Sequence, residues 1–213
     1  MANVYATWNP ADKHAELSLA LNANNLVVTN TTTNFRSIRG TIGKSTGLAF
    51  FEVTRSDANY NMTIGFADST FGLTAYIGAS AISAGFSYLN VIQANGITKV
   101  GTGFGDTAVA YIVALDFTNK KGYVGKANAW ANSADPIAGT NPSFTWTGTP
   151  ILFPAVSINS TTANLTLNAG QSAFSNTTLA SALVANGWDN GWFTNTGNDL
   201  LSVISKQFRS RRA

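Results

Sequence analysis

Between Leu17 and Asn168 apolar residues fall into short alternating runs, each closed by Gly, Asn, Pro or Ser/Thr clusters, and few folds accept that rhythm. The clearest case is Tyr111, Val113, Leu115 and Phe117, spaced two apart and followed by the polar turn Thr118-Asn119-Lys120-Lys121-Gly122 and a second apolar stretch. A period of two puts those side chains on one face of a strand, so residues 106–130 read as a core hairpin. Almost no helical periodicity precedes residue 176, which leaves an antiparallel all-β sandwich or jelly roll as the expected fold. At 213 residues such a sandwich fits one domain.

The rest of the chain is read against that hairpin. Trp8-Asn9-Pro10 suggests a turn, residues 16–21 a strand and Leu26-Val27-Val28 a second, making an opening hairpin at a sheet edge. Two strands bracket the Gly-Lys-Ser-Thr-Gly turn at 43–47, residues 62–67 form another, and residues 151–158 and 163–168 close the set around an Asn-Ser-Thr-Thr turn. Between 69 and 90 the chain reads as a long irregular segment carrying Phe71, Tyr76, Phe86 and Tyr88. The expected division is a sandwich over 1–175 and an extension over 176–213. In the extension Trp188 and Trp192 anchor the chain, and Asn198 caps a short helix over 199–208, with a strand as the alternative.

Charge narrows the function. Only 11% of residues are charged, against about a quarter in an average domain, so Asn, Thr, Ser and Gly make the polar surface neutral. The formal charge is +3, yet Lys206, Arg209, Arg211 and Arg212 sit at the end of the chain, and without them the balance is 9 positive against 10 negative. A nucleic-acid partner is not expected of such a body. With no cysteine, disulfides, thiolate metal sites and a Cys nucleophile are all excluded. The opening MANVYATWNPADKH lacks a basic region followed by an apolar run, and no apolar stretch is long enough to cross a bilayer, so a soluble, unprocessed chain is expected. Gly43-Lys44-Ser45 matches the end of a phosphate loop, but a helix must follow one, and the Leu-Ala-Phe-Phe-Glu-Val that follows here is a strand pattern.

Catalytic groups are scarce. His14 is the single histidine, so a Ser-His-Asp triad would have to use an N-terminal strand edge, and no cluster of His and carboxylates offers a metal site. Neither cofactor nor metal is expected. A two-carboxylate glycosidase is the strongest of the enzyme readings, but Glu16 and Glu52 are the only glutamates and fall on different strands, which places it behind binding. Binding is better supplied: Tyr76, Phe86, Tyr88, Asn128, Trp130 and Trp146 fall in expected loops and combine flat aromatic faces with neutral amides. Trp130 stands out because it follows the core hairpin where the chain leaves the sheet. In the tail, Leu200, Ile204 and Phe208 beside Arg209, Arg211 and Arg212 form a candidate assembly device.

The order of several motifs carries more than any one of them. Ile38-Arg39-Gly40-Thr41-Ile42-Gly43-Lys44-Ser45-Thr46-Gly47 is followed by Phe50-Phe51-Glu52-Val53, Ile64-Gly65-Phe66-Ala67 and Gly105-Asp106. Val113-Ala114-Leu115-Asp116-Phe117, Phe153-Pro154-Ala155-Val156-Ser157 and Leu165-Thr166-Leu167-Asn168-Ala169-Gly170 complete the series. This succession resembles the SPRY domain over roughly residues 5–175, in the variant found in phage tail and other virion-associated proteins, for which Gly139-Thr140-Asn141-Pro142 is also typical. Two positions depart from that pattern: Ala49 stands where an aromatic is usual, and Lys126-Ala127-Asn128-Ala129 where Lys-Asn-Gly is usual. The resemblance implies two packed antiparallel sheets, a protein- or glycan-binding surface built from loops, and no enzyme. Its implied setting is a virion, with other virion proteins or a host-surface glycan or protein as partners; a homo-oligomer stays open.

Overall fold

The computed structural model describes residues 3–19, 24–56, 61–80, 82–87, 91–99 and 110–195. In chain order the first strands are β1 (Asn3–Tyr5), β2 (Trp8–Lys13), β3 (Leu17–Leu19), β4 (Val27–Asn30), β5 (Arg36–Gly40) and β6 (Leu48–Arg55). Next come β7 (Asn61–Asp68), β8 (Ser83–Ser87), β9 (Ile92–Ala94), β10 (Ile97–Lys99), β11 (Ala110–Asp116) and β12 (Lys121–Lys126). The described residues end with β13 (Ala129–Trp130), β14 (Phe144–Thr145), β15 (Leu152–Asn159), β16 (Asn164–Asn168), helix α1 (Thr177–Ala185) and β17 (Phe193–Asn195).

Two antiparallel sheets make the body. One runs β10-β9-β8-β7-β15-β5-β2 and the other β13-β12-β11-β6-β16-β4-β3, with β14 on β12; β1 and β17 form a separate pair. The expected core hairpin is β11 and β12, in register from Tyr111 opposite Lys126 to Asp116 opposite Lys121. The opening hairpin is β3 against β4, with β3 at the sheet edge as expected. The turns expected at 43–47 and 159–162 fall at the connections 41–47 and 160–163, which join strands in opposite sheets, so each is an arch rather than a hairpin. Trp8-Asn9-Pro10 begins β2 instead of forming a turn, because β2 is an edge strand with an irregular register, where a missing Pro N–H costs no ladder bond.

The alternation in β11 divides two cores. Tyr111, Val113 and Leu115 point between the sheets onto Phe51, Ile64, Phe66 and Val156, while Ile112 and Ala114 point outward into a second cluster with Phe50, Tyr123, Leu179, Leu183 and Trp188. All seven residues of β11 are therefore buried. Helix α1 covers the outer face of its sheet, and the anchoring expected of Trp188 and Trp192 is seen, at 5% and 0% exposure. On the opposite sheet residues 69–80 fold back over the outer face, where Phe71 and Ile77 pack on Ala67 and Ala155.

Helix α1 was not legible as a helix, and the expected one over 199–208 lies outside the described residues. What fixes α1 is a buried carboxylate on β6. Glu52, 1% exposed, accepts the backbone N–H groups of Ser175 at 2.9 Å and Asn176 at 2.8 Å, at the end of the helix where N–H donors lack intrahelical partners.

Candidate functional site

The aromatic residues singled out in the sequence do not converge. Phe86 lies in β8 and is buried in the inter-sheet core, its ring 5.1 Å from Tyr111, so the loop expected there is a strand. The reason is its register: Phe86 faces inward opposite Ile64, and the turn signals around it belong to the ends of β8. Trp146 follows β14 and packs between Phe66 and Phe117 at 8% exposure, which leaves little ring for a ligand. Tyr76 is half-buried over the outer face of the other sheet, 5.6 Å from the half-buried Phe35. Tyr88 and the tail residues Leu200, Ile204, Phe208, Arg209, Arg211 and Arg212 lie outside the described residues.

Asn128 and Trp130 do share a surface. Ala127 and Asn128 both take positive φ, 49° and 66°, which closes β12 onto β13 in a two-residue hairpin in place of the expected longer loop. The Asn128 N–H donates to Asn176 Oδ1 at 3.1 Å, and Asn176 Nδ2 donates to Ala110 O at 3.3 Å, so the hairpin is tied to the start of α1. The Asn128 side chain is exposed; Trp130 is half-buried and meets Tyr123 edge-on at 6.4 Å. Part of Trp130 thus seals the outer core, and part remains accessible.

At the other end of the same sheet lies a concave site that the sequence did not reveal. A cavity of about 430 Å³ is lined by Leu48, Asp116, Thr118, Asn119, Pro136, Ile137, Asn186 and Trp188. The β11–β12 turn, the 135–140 loop and the C-terminus of α1 meet there. Asp116 closes its turn by accepting Asn119 N–H at 2.9 Å and Asn119 Nδ2 at 2.6 Å, and Asp135 Oδ1 fixes the loop through the N–H groups of Ile137 and Ala138 at 2.8 and 3.0 Å. Ile137 is 49% exposed, while Trp188 offers only an edge. Behind it, the buried Tyr123 hydroxyl has no hydrogen-bond partner; burial raises its pKa, and the negative charges of Asp116 and Asp135 raise it further. A shallower, more apolar groove of about 390 Å³ follows α1 past Phe174, Ala180 and Val184.

Reactive groups are engaged elsewhere. His14 Nδ1 accepts the Glu16 N–H, and Glu16 pairs with Arg36, whose hydrogen bond holds the carboxyl below its usual range. Asp12 takes a bidentate bond from Arg39 at 2.7 Å, and Asp68 binds Thr70. Among the described residues no group of three or more His, Asp or Glu could hold a metal, and no helix is long and apolar enough to cross a membrane.

Two antiparallel sheets with arched connections and one covering helix define an antiparallel β-sandwich, and comparison with solved structures makes the fold specific. The SPRY domain of human HERC1 superposes with a TM-score of 0.60 at 13% identity, covering 78% of this chain and 99% of that one. The TRIM65 PSpry domain gives 0.58 at 15% identity over 76% of this chain and 91% of that one. Stonustoxin gives 0.57 at 17% identity, with 76% of this chain matching 27% of that protein. The fold is therefore that of the SPRY domain, as the motif order implied. No family model matches the chain, and no curated protein matches it.

Proposed function

We propose that this protein is a non-enzymatic interaction module of a phage particle, engaging a host-surface molecule or another virion protein through surfaces at the ends of its helix-covered sheet. One observation carries the non-enzymatic reading. Glu52 holds the start of α1, Asp116 closes a turn, Glu16 and Asp12 are paired with arginines, and His14 is bonded to its own turn. Among the described residues the accessible surface includes amide, aromatic and apolar groups such as Asn128, Trp130 and Ile137, which suit recognition. The SPRY fold, shared here with domains at 13–17% identity, agrees with a binding role. The virion setting rests on the motif resemblance and on Gly139-Thr140-Asn141-Pro142.

The test uses labelled full-length chain on host cells and mass spectrometry of purified particles. The chain is expected in the particle, and labelled protein is expected to stain host cells, with staining reduced by Trp130→Ala. Absence from particles together with no cell binding refutes the assignment, and release of oligosaccharide from host envelope polysaccharide refutes the non-enzymatic reading. Cell binding without Trp130 dependence moves the contact away from the β12–β13 hairpin.

A further inference from the structure

We infer that the cavity between the β11–β12 turn, the 135–140 loop and the end of α1 receives a basic side chain, arginine or lysine, presented by a protein partner. The inference deepens the interaction role proposed above and rests on it.

Charge is the first observation. Asp116 is 5% exposed and lines the cavity, yet among the described residues no cation lies within ion-pair distance of it. Lys121, directly opposite on β12, is drawn away by its bond to Gly139 O at 2.7 Å, and Lys44 is paired with Asp189 at 2.8 Å. The Asn119 bonds engage each Asp116 oxygen once, whereas a carboxylate offers about four lone-pair positions. A buried carboxylate held by neutral donors alone gains most from a cation that arrives with its own N–H groups.

Shape is the second. Leu48, Pro136 and Ile137 supply apolar walls, which suit the methylene stem of a long basic side chain whose head reaches the carboxylate. Thr118, Asn119 and Asn186 complete the lining with polar groups, and the Asn186 amide nitrogen already donates to Ala182 O at 2.9 Å. A pyranose fits less well, because a sugar needs an open aromatic face and Trp188 is 5% exposed. Asp116 and Asp135 each fix their own segment, while Lys121 Nζ on Gly139 O at 2.7 Å ties β12 to the 135–140 loop and the Asp189 N–H on Leu48 O at 2.9 Å ties the end of α1 to β6, which holds the cavity without a ligand.

The probes are N-acetyl-arginine methylamide and its neutral isostere, the citrulline analogue, titrated into the full-length chain while backbone amide NMR signals are followed. The arginine compound should shift the signals of Asn119, Ile137 and Asn186, saturably and more weakly as salt is raised, and the citrulline compound should not. Asp116→Asn, which keeps an acceptor for the Asn119 N–H, should abolish the shifts. Ile137→Ser, on an exposed wall and without consequence for folding, should weaken them severalfold. Equal shifts with citrulline, or shifts that survive Asp116→Asn, overturn the inference, as does the absence of any shift. A variant with Lys206, Arg209, Arg211 and Arg212 changed to Gln reports on self-occupancy: movement of the same three signals without added probe makes the chain's own tail the occupant and also overturns it. Cell or particle binding unaffected by Asp116→Asn would remove the cavity while leaving the interaction role standing.

Discussion

Replacing Glu52 by Gln tests the attachment of α1 to the sandwich. The wild-type carboxylate, 1% exposed, accepts two backbone N–H groups, at 2.9 Å from Ser175 and 2.8 Å from Asn176. Gln has the same shape but one acceptor, so its amide NH2 must face one of the two donors. Hydrogen bonds to a charged acceptor contribute about 1.5–3 kcal/mol, and a buried donor left unpaired costs about 1–3 kcal/mol. Ser175 is exposed and its N–H can recruit water, whereas Asn176 is buried, so the amide should turn its nitrogen toward Ser175. That limits the expected loss to roughly 2–4 kcal/mol, a sizeable share of the roughly 5–15 kcal/mol that stabilises a typical domain. At about 2–4 °C per kcal/mol for a chain of this size, the melting temperature should fall by roughly 5–15 °C. Urea unfolding gives the free energy, and amide hydrogen exchange locates it: residues 175–185 should exchange faster while β7 and β15 stay protected. A loss below about 0.5 kcal/mol would mean that burying the charge costs as much as its bonds return, and the anchoring argument would fail. A global loss with unchanged relative protection of α1 would refute it in a different way.

Other expectations follow from packing and titration. Trp192→Ala empties a fully buried site between Phe51 and Phe117 and removes the indole N–H bond to Ile42 O at 2.9 Å, so its urea midpoint should reflect a loss of about 3–5 kcal/mol. Gly125→Ala places a Cβ 2.5 Å from Leu179 Cδ1, 2.8 Å from Ile112 Cγ2 and 2.9 Å from Trp130 Cε3, so these side chains must repack, at about 1–3 kcal/mol, with a change in the near-UV signal of Trp130. Tyr123→Phe removes a buried hydroxyl with no partner and should leave stability unchanged or raised at neutral pH. Because the folded state raises the Tyr123 pKa, its neutral form favours folding below the unfolded pKa of about 10, and that contribution is lost as pH rises through the folded value; alkaline unfolding should therefore occur at higher pH in the Phe variant. Glu16 behaves oppositely: Arg36 lowers its pKa, so the pair stabilises above the ordinary Glu value and ceases to as pH falls through the folded one. Arg36→Gln should lose stability at neutral pH and match the wild type in strong acid.

Much of the sandwich was written in side-chain spacing. Tyr111, Val113 and Leu115 marked one face of β11, and the motifs around Phe50, Ile64 and Leu165 marked β6, β7 and β16, because a strand's period of two survives in any tertiary context. Sheet membership was not legible: nothing local in 41–47 or 160–163 separates an arch between sheets from a hairpin within one. Nor was α1, whose run Thr177-Thr178-Leu179-Ala180-Ser181-Ala182-Leu183 has a narrow apolar stripe and is held by Glu52 on β6, far away in sequence. Asn176 before it and Gly187 after it were the available signals. The cavity depends on three segments meeting, and only Asp116 among its lining residues belonged to a recognised motif. Phe86 and Trp146 misled for a related reason: an aromatic near Gly and Ser looks like loop chemistry until the register turns it inward.

Asparagine makes the same point about composition. Its abundance reads as a neutral surface available for binding, yet Asn24, Asn25, Asn95, Asn128, Asn132 and Asn141 take positive φ, the region that other L residues avoid and Asn tolerates best after Gly. Others work inside: Asn30 Nδ2 bridges Ile158 O at 2.7 Å and Asn34 O at 2.8 Å, Asn168 Nδ2 donates to Ala173 O at 3.0 Å, and Asn176 joins β11, the β12–β13 hairpin and α1. A chain without cysteines that crosses between two sheets by arches needs groups that satisfy backbone N–H and C=O away from the ladders, and a side-chain amide does both at once. Many of the amides are therefore committed to connections. On the interaction role proposed above, recognition would fall to places where an oxygen remains open beside an apolar wall, and the Asp116 cavity combines both.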